Sequence, residues 1–250
     1  MWQLKMENEI SNIISENDKM LYNESEEARK HYFSVSSSAI ECIFNALNIT
    51  KKTTINSILD LPSGHGRVLR SLISYFPSAQ ITSCDLEKDA VDFCVNTFSV
   101  EGVYSSEDVT KISLNRKYDL IWCGSLLTHF KEKDARKFFK FFLDHLEEDG
   151  LLLVTLHGRN NAIKAFEKDS SIIRKIAKRY FNVKGYLFAP SAYVIDKSYT
   201  IPNYGGALVN MSWVSSLIHK NEDIRIVYYS EKLWDNNQDV LAIQKKSIRG

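Results

Sequence analysis

The sequence predicts an α/β protein whose mostly parallel sheet carries helices on both faces. From residue 53 to residue 158, short apolar runs typical of buried strands alternate with segments of helical periodicity. A glycine-containing loop at 62–66 (PSGHG) directly follows the first apolar run and leads into the next helix. In open parallel sheets such a loop lies at the carboxyl ends of the strands, where these folds bind nucleotides. We therefore expect a doubly wound sheet with a nucleoside site at that edge.

Five apolar runs are predicted as the buried strands of this sheet. They cover 53–60, 79–84, 102–104, 118–123 and 151–156. The last run is apolar throughout, as expected of a central parallel strand that is covered on both faces.

The segments around these strands are predicted helices, because their apolar residues recur every three or four positions. They cover 36–47, 68–76, 88–98 and 133–146. Pro77 ends the second helix and Gly150 follows the last one, in agreement with the usual stop signals. Residues 7–30 are polar and weakly periodic, and we expect one or two short outer helices there.

The alternation of strand and helix breaks after residue 158. Residues 160–180 read as one long helix, and 182–212 are irregular and rich in aromatic residues and glycine. Two final strands, 224–229 and 240–244, must pair antiparallel, since the connection between them is too short for a crossover helix. The predicted organisation is 1–52 as a helical cover, 53–158 as the nucleoside-binding core, 159–221 as a substrate-side insertion and 222–250 as a closing hairpin of the core sheet.

Length and composition limit the function classes. The 250 residues are 44% hydrophobic and 25% charged with a net charge of +1, which fits one substantial core and excludes a disordered or strongly basic chain. The four cysteines have no metal or disulfide spacing, so we expect buried free thiols and no metal site. Without a signal peptide or an apolar run of bilayer length, the sequence predicts a soluble, cytoplasmic protein with no membrane span.

The loop itself narrows the choice of nucleoside. The P-loop string G-x-x-x-x-G-K-[ST] does not occur. A dinucleotide site needs a small residue at its third glycine position, where this chain has Leu69 or Arg67, depending on where the count begins. S-adenosylmethionine has no phosphate, so its loop requires only a close approach of the backbone.

The strings at and beyond the loop resemble class I S-adenosylmethionine-dependent methyltransferases. Residues 59–66 (LDLPSGHG) are similar to motif I (D-x-G-x-G-x-G), with Pro62 in place of the first glycine. Residues 81–85 (ITSCD) resemble the second motif, and 118–129 (YDLIWCGSLLTH) resemble the fourth strand and the loop beside the transferable methyl group. The resemblance covers about 55–157, with 222–245 matching in topology. It implies a Rossmann-like seven-stranded sheet whose last strand is antiparallel.

The resemblance also implies which residues bind S-adenosylmethionine. They are Asp60, Pro62, Ser63, Gly64, Gly66, Arg67, Asp85, Leu86, Asp108, Val109, Cys123, Gly124 and Ser125. Asp60 would orient the amino end of the cofactor, Asp85 the ribose hydroxyls, and 108–109 the adenine. A plain helix N-cap remains the alternative for Asp85. Arg67 opposes the dipole of its helix, so it either pairs with a carboxylate, such as that of the cofactor, or lies on the surface.

Two histidines near the carboxyl edge are candidate catalytic bases, His129 and His157. A methyl sulfonium needs no activation, so the enzyme would hold the acceptor in line and remove its proton, a task that histidine performs near neutral pH. The alternative is that each merely lines the pocket.

The acceptor is expected to bind at Tyr32, Arg159, Tyr204 and Trp213. Basic residues accumulate over 159–184 and favour an anionic acceptor, although a solvated helix face is the alternative. We expect transfer to oxygen of a small molecule or glycan by a monomer or homodimer. Strings at 64–70, 122–129 and 234–240 resemble methyltransferases found with bacterial surface-polysaccharide and glycosyl-transfer proteins, which points to surface-polysaccharide biosynthesis.

Two alternative functions remain open on the sequence. An RNA or other nucleic-acid methyltransferase is supported by the basic segment, but the fourth strand lacks the [DNS]-P-P-[YFW] string and no RNA-binding module is visible. A non-catalytic cofactor-binding module is the other alternative.

Overall fold

The computed structural model describes residues 9–246 except 168–170, 192, 197–198, 202–203 and 220, and for 193–196 and 199–201 it describes the backbone only. Lys168, part of the predicted basic segment, lies outside the described residues.

The described strands form one large sheet and two small ones. In chain order they are β1 (Ser57–Asp60), β2 (Gln80–Asp85), β3 (Glu101–Tyr104), β4 (Tyr118–Cys123), β5 (Leu146–Leu156), β6 (Tyr186–Pro190), β7 (Tyr193–Asp196), β8 (Tyr199–Ile201), β9 (Gly205–Val209), β10 (Ile224–Trp234) and β11 (Gln238–Lys245). The large sheet has the order β10-β11-β5-β4-β1-β2-β3, and β6 pairs with β9 and β7 with β8. Strands β1 to β5 are parallel, whereas β11 is antiparallel to both β5 and β10. This confirms the predicted seven-stranded Rossmann-like sheet with an antiparallel last strand.

Seven α-helices accompany these strands within the described residues. They are α1 (Glu26–Thr50), α2 (Leu69–Tyr75), α3 (Lys88–Phe98), α4 (Glu132–Asp144), α5 (Arg159–Glu167), α6 (Ile172–Lys184) and α7 (Met211–Ile218). Two core clusters separate the helices from the sheet: α1 and α2 pack on one face, and α4 and α7 on the other. None of the described helices is long and apolar enough to cross a bilayer. All four cysteines are buried and free.

The N-terminal part differs from the prediction. Residues 9–25 contain no helix, and α1 begins ten positions earlier than expected, at Glu26 after the N-cap Ser25. Side chains of Ser11, Ser15, Asp18 and Asn23 each accept from the backbone N–H two residues ahead. Such local turns compete with helical hydrogen bonds, which explains why weak periodicity did not produce helices here.

The predicted long helix over 160–180 was also wrong. The structure has two helices, α5 and α6, and the second begins after the N-cap Ser171, whose hydroxyl accepts from the N–H of Arg174 at 3.4 Å. Only Phe181 of α6 is buried, and its ring contacts that of Phe166 at 5.7 Å. Helix α6 is therefore a separate, mostly exposed helix that packs on α5 through Phe181.

Candidate active site

The loop after β1 is fixed to the end of β2 by three hydrogen bonds. The N–H of Ser63 donates to the carbonyl of Cys84 at 3.0 Å, and the hydroxyls of Ser63 and Ser83 are 2.7 Å apart. The N–H of Gly64 donates to Asp85 Oδ2 at 2.7 Å. Gly64 has a φ of +50°, and a Cβ there would meet no atom within 4 Å. The loop thus leaves open space beside its backbone, as a closely approaching ligand requires.

Asp85 is the charged end of this arrangement. Its other oxygen accepts from the N–H of Glu87 at 2.9 Å, and the residue lines the cavity. Glu87, not Asp85, is the N-cap of α3, so the alternative of a plain helix N-cap does not apply. Burial raises the pKa of Asp85, and the hydrogen bonds from Glu87 and Gly64 oppose that rise. Each carboxylate oxygen accepts one backbone hydrogen bond and retains capacity for a second.

Asp60 ends β1 directly behind the loop and is 1% exposed. Neither of its carboxylate oxygens has a hydrogen-bond partner among the described residues. Burial and the neighbouring charge of Asp85 hold its pKa well above the usual range. A buried carboxyl group without a partner costs about 1–3 kcal/mol or more. Among the described acids of the site, Asp60 is therefore the one whose carboxyl group has no hydrogen-bond donor beside it.

Arg67 supplies a cation on the same side of the cavity. Its guanidinium lies 5.9 Å from the centre of the Tyr32 ring and has no hydrogen-bond or ion-pair partner within the described part of the chain. Burial lowers its pKa, while Tyr32, Asp18, Asp235 and Asp60 oppose that change. The sequence alternative of a surface arginine does not hold. Asp60 thus offers a buried carboxyl group and Arg67 a cation, and neither has a hydrogen-bond partner among the described residues.

Asp85 and Arg67 line a cavity of about 390 Å³, which lies within the size range of small-molecule sites. On one side the wall consists of the glycine loop, Asp85 and the turn 105–107, and on the other of 124–126, His129 and Tyr204. One continuous space therefore connects the loop with a candidate base.

His129 is fixed by the insertion. Its Nδ1 lies 2.9 Å from the carbonyl oxygen of Gly205, and its ring stacks on Tyr204 at 4.3 Å between centres. Since a carbonyl oxygen only accepts, Nδ1 carries the proton and Nε2 has the free lone pair. Burial lowers the pKa of His129, so the ring is neutral near pH 7. Nε2 has no partner among the described residues, which leaves it available as a proton acceptor.

His157 stands behind His129 and does not contribute to the wall. Their ring centres are 6.4 Å apart. Burial, followed by the nearby His129, lowers the pKa of His157 to about 4. The geometry distinguishes the two candidates: His129 reaches the cavity, and His157 is a neutral neighbour of it.

A hydrogen-bonded group fixes the loop after β4. Ser125 has a φ of +60° and donates its N–H to Thr155 Oγ1 at 2.7 Å. Thr155 donates to Gln238 Oε1 at 2.6 Å, and Gln238 Nε2 donates to the Ser125 hydroxyl at 3.0 Å. These hydrogen bonds join the ends of β4, β5 and β11. They lie between the side of the cavity that holds the glycine loop and the side that holds His129.

Most of the predicted cofactor positions reach the cavity wall. They are Pro62, Ser63, Gly64, Arg67, Asp85, Leu86, Gly124 and Ser125. Asp60, Gly66, Asp108, Val109 and Cys123 do not line it. Asp108 is exposed and accepts from Thr110, which lowers its pKa, whereas Val109 packs into the core. The adjacent 105–107 turn takes the wall position that the sequence assigned to 108–109.

Of the four predicted acceptor residues, the structure brings Tyr204 to the cavity. Tyr32 is fully buried and donates to Asp18 at 2.6 Å, so it supports the site from behind. Arg159 is exposed and pairs with Glu231 at 2.9 Å. Trp213 is 1% exposed, packs in the core and donates to a Glu132 oxygen at 3.1 Å. The aromatic and basic residue types in the sequence did not predict which of these four side chains would reach the cavity.

Two stretches of the wall were missed by sequence reasoning. Residues 18–20 line the cavity because Arg70 donates to the carbonyls of Ser11 and Ile13, at 2.9 and 2.7 Å, and so fixes the N-terminal segment nearby. The β10–β11 turn contributes Trp234, Asp235, Asn237 and Gln238. The turn residues belong to the string 234–240, whose resemblance to other methyltransferases was already noted in the sequence. No local sequence pattern indicated that residues 18–20 would line the cavity.

Residues 58–150 match the family model described as "Methyltransferase domain". This match supports a class I S-adenosylmethionine-dependent methyltransferase and implies S-adenosylmethionine as the cofactor.

Relatives and solved structures agree with the domain. The chain is similar to malonyl-[acyl-carrier protein] O-methyltransferases of Acetivibrio thermocellus (23% identical over 128 residues) and Bacillus cytotoxicus (27% over 136 residues). The matches cover 51% and 52% of this chain and 44% of each relative, so the chain spans less than half the length of these curated relatives. It shares its fold with an S-adenosylmethionine-dependent methyltransferase from Clostridium acetobutylicum, at a TM-score of 0.57 and 15% identity over 86% of this chain and 92% of that one. The plantazolicin methyltransferase BpumL in complex with SAH has a TM-score of 0.54 and 12% identity over 92% and 94%.

The residues of the matched region fit this cofactor. Among the described residues, the buried carboxyl group of Asp60 and the guanidinium of Arg67 have no hydrogen-bond partner; the α-ammonium and α-carboxylate of a methionine moiety complement them. The free acceptor capacity of Asp85 suits a ribose diol. The open space at Gly64 accommodates a ligand against the backbone.

Proposed function

We propose that this chain is an S-adenosylmethionine-dependent methyltransferase that acts on oxygen of a small-molecule or glycan acceptor. The observation that carries the proposal is that the glycine loop, Asp85 and the neutral His129 line the same cavity. Its cofactor half fits S-adenosylmethionine, and its other half presents an imidazole lone pair where an acceptor can enter.

The cofactor would be held by residues on the loop side. In this proposal Asp85 accepts from the ribose hydroxyls, Asp60 faces the amino group and Arg67 the carboxylate. Ser63, Gly64 and Leu86 supply the close walls, and the 105–107 turn lies where the adenine contact is expected. When bound, S-adenosylmethionine supplies an electrophilic methyl group on its sulfonium.

The chain's own contribution to the reaction is proton removal and positioning. His129 Nε2 accepts the proton of an acceptor hydroxyl, while the carbonyl of Gly205 holds Nδ1–H and thereby the tautomer and the ring orientation. Tyr204 stacks on the ring and restricts its rotation. The group formed by Ser125, Thr155 and Gln238 keeps the intervening loop fixed.

The nature of the acceptor is supported by two features. The curated relatives are named O-methyltransferases, which favours oxygen as the acceptor atom. The strings at 64–70, 122–129 and 234–240 resemble methyltransferases found with bacterial surface-polysaccharide proteins, which favours a role in surface-polysaccharide biosynthesis; four residues of the last string line the cavity. We further propose the division into a 1–52 cover, a 53–158 core, a 159–221 insertion and a 222–250 hairpin, since the insertion carries Tyr204 and Gly205 to the acceptor side.

The test is formation of S-adenosylhomocysteine with a panel of hydroxyl-bearing sugars, nucleotide sugars and small alcohols. The wild-type protein should form the product only in the presence of a suitable acceptor. With that acceptor, His129→Ala should lower kcat by about 10²–10⁴-fold, the typical contribution of a general base. Its affinity for S-adenosylhomocysteine should stay within about threefold of wild type, because the ring lies on the acceptor side.

His219→Ala is the matched control, since His219 is the exposed C-cap residue of α7, its Nδ1 lies 3.3 Å from the carbonyl oxygen of Ser215, and it does not line the cavity. It should retain wild-type kcat. Full activity of His129→Ala would dismiss His129 as the base. Transfer to nucleic acid, with a steep salt dependence, would contradict the small-molecule or glycan acceptor.

A further inference from the structure

Helix α6 carries an apolar stripe that faces away from the protein. Its large apolar side chains are mostly exposed: Ile172 74%, Ile173 76%, Ile176 66%, Tyr180 51% and Val183 72%. At 3.6 residues per turn, about 100° per residue, these five side chains fall within roughly one third of the helix circumference. An amphipathic helix in a globular protein normally turns such a stripe toward the core. Here the stripe points outward.

The attachment of α6 to the rest of the chain runs along a different line. Phe181 is buried against Phe166, Ala177 is half-buried, and Arg174 donates to the carbonyl of Ala165 on α5. These three positions follow the spacing i, i+3 and i+7 and lie more than a quarter turn away from the centre of the stripe. The orientation of the helix is therefore set by its own packing, and the stripe stays available to a second surface.

The charges of α6 are of one sign. The helix contains Arg174, Lys175, Lys178, Arg179 and Lys184 and no Asp or Glu. Except for Arg174, these cations have no ion pair within the described part of the chain. Lys175 and Arg179 border one edge of the stripe and Lys184 the other, by the same angular count. Long basic side chains at the edges of an apolar face can extend sideways to anionic groups at its level.

We propose that α6 binds the surface of an anionic lipid bilayer, with its stripe in the headgroup–acyl boundary and its lysines and arginines on lipid phosphates. A helix with an aliphatic face and a basic polar face is the arrangement that lies in such an interface. A second copy of the chain is a poor occupant, since pairing two α6 stripes would bring uncompensated cations of both copies together. Apart from the Tyr180 hydroxyl, the stripe offers no hydrogen-bonding group that would specify a protein partner.

This surface is close in the chain to the acceptor side of the cavity. Helix α6 leads into β6, β6 pairs with β9, and β9 begins at Gly205, whose carbonyl holds His129. Lipid binding would therefore place the insertion, and with it the acceptor half of the cavity, next to the bilayer. The lipid interaction itself does not require methyl transfer and is testable without it.

The test is co-sedimentation of the full chain with vesicles of phosphatidylcholine, with and without phosphatidylglycerol, over a range of salt concentrations. We expect binding to the anionic vesicles to exceed binding to the neutral ones by about tenfold and to weaken as salt screens the charges. Ile176→Gln should reduce binding about tenfold by removing an aliphatic anchor. Lys175→Gln should reduce it about fivefold, the usual effect of one cation near an anionic surface.

Ile49→Gln is the matched control, because Ile49 is 53% exposed on α1 and lies outside the stripe. It should bind vesicles like wild type. The proposal is overturned by equal binding to neutral and anionic vesicles, by absence of binding to both, or by vesicle binding that Ile176→Gln does not change. It is also overturned if sedimentation without lipid shows a dimer that Ile176→Gln abolishes while the wild type ignores vesicles.

Discussion

The neutral state of His157 makes a quantitative prediction about the acid stability of this protein. A histidine whose pKa falls on folding stabilises the folded state above its unfolded-state pKa, and this stabilisation is lost as pH falls toward the folded-state value. For His157 the two values are 6.5 and about 4. With these values, His157 contributes about 2 kcal/mol less to the free energy of unfolding at pH 5 than at pH 8.

The assay compares the wild type with His157→Gln. Glutamine keeps a donor that can replace the ring's hydrogen bond to the carbonyl of Ala207 and does not titrate. Urea unfolding at pH 8 and at pH 5 gives the free energy of unfolding of each protein. Between pH 8 and pH 5 the free energy of unfolding should fall by about 2 kcal/mol more for the wild type than for His157→Gln.

Other groups that titrate in this range contribute to both proteins and cancel in the difference. Asp60 and Asp85 have raised pKa values, so their contribution has the opposite sign and favours the folded state as pH falls. His219→Gln, a change at an exposed histidine directly after α7, is the control and should show the same pH dependence as wild type. An equal pH dependence of wild type and His157→Gln would refute the conclusion that folding holds His157 neutral beside His129.

Four further substitutions test the positions of individual residues. Gly64→Ala should cost about 1–2 kcal/mol of stability because of its positive φ, and should weaken S-adenosylhomocysteine binding in calorimetry because its Cβ enters the open space; unchanged affinity would contradict the close approach. Gly66→Ala should destabilise more in urea unfolding, since its Cβ would lie 2.7 Å from the Phe98 ring; a smaller loss than at Gly64 would contradict this. Trp213→Ala should lower the free energy of unfolding by about 3–5 kcal/mol, because Trp213 is buried in the core. The KM for the acceptor should stay unchanged in steady-state kinetics. A raised KM at wild-type stability would instead support the predicted role of Trp213 in acceptor binding. Gln238→Ala should lower the free energy of unfolding by about 1–3 kcal/mol by removing buried hydrogen bonds, and no change would contradict a fixed loop.

The cofactor half of the cavity was predictable because its determinants are local. An apolar strand that ends in Asp85, and a loop containing Gly64, are visible in the sequence, and parallel pairing of β1 with β2 necessarily brings them to one edge. The structure adds the direct hydrogen bond between the two residues. Sequence and topology together therefore determine this half of the cavity.

The acceptor half depends on long-range packing and was predicted less well. Tyr204 and Trp213 are both aromatic residues of the insertion, but one stacks on His129 and the other fills the core. Nothing in the local pattern distinguishes them, because the difference arises from how β6 and β9 pair. The same holds for Asp18, which reaches the cavity only because Arg70 fixes the N-terminal segment.

The central claim is that the cavity beside the glycine loop binds S-adenosylmethionine through Asp85, and calorimetric titration with S-adenosylhomocysteine tests it most directly. Wild type should bind with one site per chain. Asp85→Ala should abolish detectable binding, because it removes the ribose acceptor and the group that fixes the N–H of Gly64. Asp92→Ala, which changes an exposed acid on α3 that accepts from the Tyr104 hydroxyl and does not line the cavity, should bind like wild type. Unchanged affinity in Asp85→Ala, with wild-type affinity also in Asp92→Ala, would contradict the account.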